Sequence, residues 1–124
     1  MKNLKPQVYK MLKTIEGVKQ VSFFYPQNWA EDKLPAISYF ESKNEANRFT
    51  FDSGEFLSSI AFTVDIWAFS PSECSSIAER VDEKATTMGW HREFSMDLYD
   101  DSAKIHHKTM RYGGLYQPST DLIY

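Results

Sequence analysis

Residues 58–90, "SSIAFTVDIWAFSPSECSSIAERVDEKATTMGW", constrain the fold more than any other stretch. Ile60, Phe62, Val64, Ile66 and Ala68 alternate with Thr63, Asp65, Trp67 and Phe69, the period of a β-strand. Both sets carry apolar residues, so the strand is expected at the centre of a sheet, or with one face covered by a neighbouring subunit. Ser70-Pro71-Ser72-Glu73 then has the form of a capping box: Ser70 as N-cap, Pro71 in the first turn and Glu73 at the third position. Cys74, Ile77, Ala78, Val81, Ala85 and Met88 recur at helical spacing, and Gly89 stops the helix. A strand that runs into a helix is a common place for a phosphate loop or a nucleophile. This junction has neither.

The flanking sequence supplies the remaining elements. Leu4, Val8, Met11, Leu12 and Ile15 predict a short amphipathic N-terminal helix, with Pro6 in its first turn and Gly17 after its end. Val21, Phe23 and Tyr25 alternate in a strand, "PQNWAEDKLP" is turn chemistry, and "AISYFES" resumes alternation. Residues 41–56 read as a long β-arm or hairpin ending at Asp52-Ser53-Gly54, or as a loop. Residues 91–99, with Phe94, Met96 and Leu98 inward, and "KIHHKTMRY" form a closing hairpin around Asp100–Ala103. Gly113-Gly114 is expected to break the last strand, leaving a tail or a short added strand. The predicted class is α+β: an N-terminal helix, a mixed or antiparallel sheet with the arm, one helix packed on the sheet, and a C-terminal hairpin. At 124 residues the chain is expected to form one domain, 1–124.

Composition removes several functions. Only Cys74 is available, which excludes an internal disulfide framework and suits a reducing compartment. No apolar run is long enough to span a bilayer, and "MKNLKPQVYK" lacks the apolar stretch of a signal peptide. A formal charge of −3 disfavours a dedicated nucleic-acid binder, even though "RFTF" and "RYGGLY" could stack bases.

Catalytic and metal chemistry find little support. With Tyr99 opposite Lys104, the hairpin would set Asp97 against His106 and Met96 against His107, and leave His91 about 20 Å from His106. His106 and His107 would point to opposite faces, so neither a metal nor a cofactor site is expected. Cys74 lies on a buried helix stripe and reads as an inert thiol. Asp65 is the exception, a carboxylate in an apolar strand that needs a partner if covered. An arginine of a neighbouring subunit, Arg48 or Arg111, is the expected one.

The order of elements, the strand with Asp65 before Trp67 and Phe69, the helix "IAERVDEKATTMG", and "DLYDD" leading into "KTMRYGG" together resemble the tail terminator and tail completion proteins of long-tailed bacteriophages. The resemblance spans nearly the whole chain. It implies a structural, non-enzymatic virion protein, assembled in the host cytoplasm and placed at the head-proximal end of the tail. Such proteins form hexameric rings that contact the tail tube protein and the head connector, while DNA passes through the lumen without specific binding. Heterologous contacts around a ring need complementary surfaces, and aromatic residues are enriched in them. The candidate interface residues, from the local reading, are Arg48, Phe49, Phe51, Phe56, Asp65, Trp67, Phe69 and Arg111. The alternatives are another neck or head–tail connector protein, or a small α+β ligand-binding or enzymatic domain.

Overall fold

The computed structural model describes residues 2–50, 56–118 and 120–124, with residues 47–50 and 56 described as backbone alone. Its elements run α1 (Lys5–Lys13), β1 (Gln20–Phe23), β2 (Ala36–Thr50), β3 (Phe56–Ala68), α2 (Pro71–Thr87), β4 (His91–Asp100), β5 (Ile105–Gln117) and β6 (Leu122–Ile123). A 3-10 turn at Glu31–Lys33 sits in the loop between β1 and β2. The fold is α+β, as its periodicities predict.

The strands make one mixed sheet in the order β1-β2-β3-β5-β4, and β6 adds to β5 beyond β4. β1 lies parallel to β2, and the remaining pairs are antiparallel. β3 occupies the centre, which accounts for its two apolar faces. α2 connects β3 to β4, yet β5 lies between those two strands, so the crossover is split.

Both helices cover one face. Ile60, Phe62, Val64 and Ile66 of β3 meet Ile37 and Tyr39 of β2 and Met110 and Tyr112 of β5 under the buried stripes of α1 and α2. The capping box forms as expected, with the Glu73 amide donating to Ser70 Oγ at 3.2 Å. Met88 leaves the predicted stripe because it is the C-cap of α2, half exposed, where the chain turns through Gly89 at φ +98°.

The arm is a hairpin. β2 and β3 stay paired out to Thr50 and Phe56, with irregularities after Glu41 and Ala46. Phe51 and the expected turn residues Asp52-Ser53-Gly54 lie outside the described residues.

Three expectations are corrected in the C-terminal half. Gly113-Gly114 does not end β5, which continues to Gln117. A Cβ on Gly113 would strike the Glu93 carboxylate, and one on Gly114 would lie 2.5 Å from Ile123 Cγ2 and 3.2 Å from Trp90. The glycines therefore make room for neighbours that cross the strand. The β4–β5 register is shifted by two residues from a turn closed by Tyr99 and Lys104, and the four-residue turn lies at 101–104 instead. Asp100 pairs with Ile105, Tyr99 with His106, Leu98 with His107 and Asp97 with Lys108. Phe94, Met96 and Leu98 do not point into a core: every residue of β4 is exposed. α2 lies over β3 and β5, and β4 is left as a bare edge.

Candidate functional site: the uncovered face of the sheet

The face opposite the helices carries Ser38 and Phe40 of β2, Thr63, Asp65 and Trp67 of β3, and His107, Thr109 and Arg111 of β5. Phe94, Met96 and Leu98 of β4 continue it to the edge. Among the described residues no helix covers this face, so its chemistry depends on its own side chains and on the loop before β2.

Its centre is a closed polar set. His107 Nε2 lies 2.8 Å from Asp65 Oδ1, and the His107 ring stacks on Trp67 at 3.7 Å between centroids, inclined by 14°. Trp67 in turn donates through Nε1 to Ser38 Oγ at 2.9 Å. Asp65 is 8% exposed and Ser38 is fully buried, so each needs the partner it has. The expected arginine of a neighbouring subunit is not required. Asp65 is satisfied within its own chain, by a histidine diagonal to it on the adjacent strand. Arg111 instead meets Glu93, with Nε 3.2 Å from Oε2. Asp97 pairs with Lys108 at 3.1 Å rather than with His106, as the shifted register dictates.

An aromatic group surrounds this set. Phe24 stacks on Phe40 at 5.5 Å, Tyr25 approaches Trp67 at 6.5 Å, and Trp29 stands edge-on to Trp67 at 5.2 Å and 89°. The chain reaches over the face because β1 stops at Phe23: Phe24 takes φ +69°, which breaks the alternation expected to continue to Tyr25. A pocket of about 290 Å³ opens among Trp29, Trp67, Phe69, Asp100, Ala103 and Ile105. The Ser102 hydroxyl and the amides of Ala103 and Ser102 donate to Asp100 and hold its carboxyl below the usual carboxylate range. The pocket thus has aromatic and aliphatic walls with one anionic group at its rim.

The predicted interface residues separate on this geometry. Asp65, Trp67, Phe69 and Arg111 all belong to the uncovered face, with Phe69 and Trp67 at one pocket. Arg48, Phe49 and Phe56 lie on the arm, where only backbone is described, and Phe51 lies outside the described residues. Sequence reasoning missed Phe24, Tyr25 and Trp29. A tryptophan in an otherwise polar, proline-bounded turn was the available signal.

Cys74 and Tyr112 have structural roles. Cys74 Sγ faces the carbonyls of His106, at 3.3 Å, and Ile66, at 3.8 Å. Burial, followed by the nearby Asp97 and Glu73 charges, pushes the thiol up to about 11. Tyr112 donates to Asp82 at 2.8 Å, and Arg92 closes on the same carboxylate at 3.0 Å, tying α2 to β5 and β4. Among the described residues no three His, Cys, Asp or Glu side chains converge as metal ligands, and no helix is long and apolar enough to cross a membrane.

No protein-family model matches this sequence, and no curated protein matches it. Its fold, however, has a solved counterpart. A chain in the structure titled "Virion of native gene transfer agent (GTA) particle" superposes with a TM-score of 0.61 over 89% of this chain and 91% of that one, at 10% identity. At that identity the likeness concerns the fold, while the side chains of the uncovered face are this chain's own.

Proposed function

We propose that the chain is a structural subunit of a tailed, phage-like particle, and within it the tail terminator: a single-domain protein forming a ring, hexameric by analogy, on the last ring of the tail tube. It would end tube polymerisation and offer its other side to the head connector. The observation that carries this reading is the fold shared, over nearly the full length of both chains, with a virion protein. The bare ten-residue edge of β4 supports it further, because exposed strand edges with apolar side chains call for a partner. The chemistry of the uncovered face points the same way. Its histidine and carboxylate are spent on each other, and its pocket holds one carboxylate with no base beside it, so no catalytic role is assigned. The net charge of −3 suits a lumen through which DNA slides without sticking.

The test is native mass spectrometry over a concentration series, with negative-stain images of the same samples, followed by addition to polymerising tail tube protein. Rings that shorten tubes and sit at one end are expected. A compact dimer at every concentration, without effect on tube length, would overturn the reading and return attention to the Trp29–Trp67 pocket as a ligand site.

A further inference from the structure

The two edges of the sheet differ in a way that selects how copies meet. At one edge, β4 presents Phe94, Met96 and Leu98, exposed by 44%, 46% and 42% on the uncovered face. At the other, Phe24 and Tyr25, directly after β1, are exposed by 50% and 66%, and Phe24 lies on the same uncovered face, against Phe40. Both edge strands pair on one side only among the described residues. Their charges are opposite. Residues 2–25 hold five lysines and one glutamate, whereas residues 91–104 hold four acids against Arg92 and Lys104. Arg92 pairs with Asp82, Glu93 with Arg111 and Asp97 with Lys108, so the acidic character of this edge rests on Asp100 and Asp101, where β4 turns into β5.

From this polarity we infer that the β4 edge of one copy docks on the β1 edge of a second copy, the apolar row of β4 meeting Phe24 and Tyr25 beside β1. This rests on the ring reading above and adds to it the two surfaces that touch. A contact between different edges is heterologous, so it can repeat around a ring, whereas an edge that paired with itself would stop at a dimer. Opposite charges at the two edges favour the mixed contact over either like-with-like contact. A β4-to-β4 contact would set acidic turns together, and a β1-to-β1 contact would set lysines together. Exposed strand edges are also the usual substrate for sheet extension between chains.

Two variants separate the possibilities. Met96→Lys/Leu98→Lys spoils the β4 edge, and Phe24→Asn/Tyr25→Ser spoils the β1 edge with a residue that tolerates the positive φ of Phe24. All four positions are exposed, and circular dichroism with thermal melting checks that each variant folds. The wild type is expected to assemble, each variant alone to be monomeric, and an equal mixture to give a 1:1 pair by native mass spectrometry, since one intact contact remains between them. Raising salt from about 0.1 to 1 M, which cuts screening length from about 10 to 3 Å, should weaken the pair.

Wild-type rings that survive both double substitutions would overturn the edge contact and leave the ring reading standing. Mixed pairs together with open wild-type chains would keep the edge contact and overturn the closed ring. A β1-edge variant that still dimerises alone would show that β4 pairs with itself. A wild type monomeric at every concentration would overturn the self-contact, while the effect on tube length would still judge the terminator reading.

Discussion

Asp65 and His107 meet at 2.8 Å across two strands, with the His107 ring lying flat on Trp67. This contact joins β3 to β5 on the face that no helix covers, and it gives a buried carboxylate its partner. The pair holds together the platform on which the aromatic group rests.

Replacing His107 with alanine removes that partner and the stacked ring together. The expected loss is about 1–3 kcal/mol of unfolding free energy, the cost of a buried polar group left unsatisfied. Urea denaturation measures it. Asp65→Asn should cost less, and adding it to His107→Ala should recover part of the loss, because no lone charge then remains. Assembly of the folded Asp65→Asn protein should be unchanged, since the partner of Asp65 lies in its own chain.

Tyr112 supplies a second fastening, from β5 to α2 through Asp82. Tyr112→Phe is expected to cost about 1 kcal/mol, the net worth of one hydrogen bond. Burial first, and then the bond to Asp82, raise the phenol well above its ordinary value of 10.0. A raised value means that the folded state holds its proton where the unfolded state has lost it. The stabilisation is complete below pH 10 and disappears as pH climbs above it. Chemical denaturation at stepped alkaline pH should show this decline in the wild type, and a flatter one in Tyr112→Phe.

Cys74 should be nearly silent to thiol reagents in the folded protein. Its thiol is buried and pushed up to about 11 from 9.0, and the thiolate is the reactive form. Reaction with an aromatic disulfide at pH 8 should be slow natively and rapid in denaturant. Fast native labelling would place the sulfur at the surface. By the same sign logic, its contribution to stability is present below pH 9 and is lost as pH rises through 11.

Gly114→Ala and Gly113→Ala should part company. The added methyl at Gly114 meets Ile123 and Trp90, which sit in a packed layer, so overpacking of about 1–3 kcal/mol is expected. At Gly113 the obstacle is the end of the flexible Glu93 side chain, which can swing away, leaving a smaller loss. Thermal melting of the two variants compares them directly.

The elements themselves were legible because their signals are local. The alternation from Ile60 to Ala68 and the capping box at Ser70 depend on neighbours a few residues away, and both form as written. The hairpin register was not legible, because the position of the turn is set by where Asp100 caps its loop, and a shift of two residues leaves every side chain on its original face. The exposure of Phe94, Met96 and Leu98 could not be read from alternation, which gives a strand's period but not its place in the sheet. Only the insertion of β5 between β3 and β4 makes β4 an edge. Likewise, nothing in the sequence near Asp65 announces His107, which lies 42 residues away and arrives by strand pairing.

The split crossover also orders events in time. β3 and α2 can form from adjacent sequence, and β4 with β5 can close as a hairpin, but β3 and β4 have no direct bond with which to find each other. β5 has to find β3 across a loop that contains the whole of α2 and β4. Long-range closures of this kind are slow. Until it happens, the most apolar strand of the molecule has one flank open, and a nascent chain passes through a sticky interval before it becomes a well-behaved subunit.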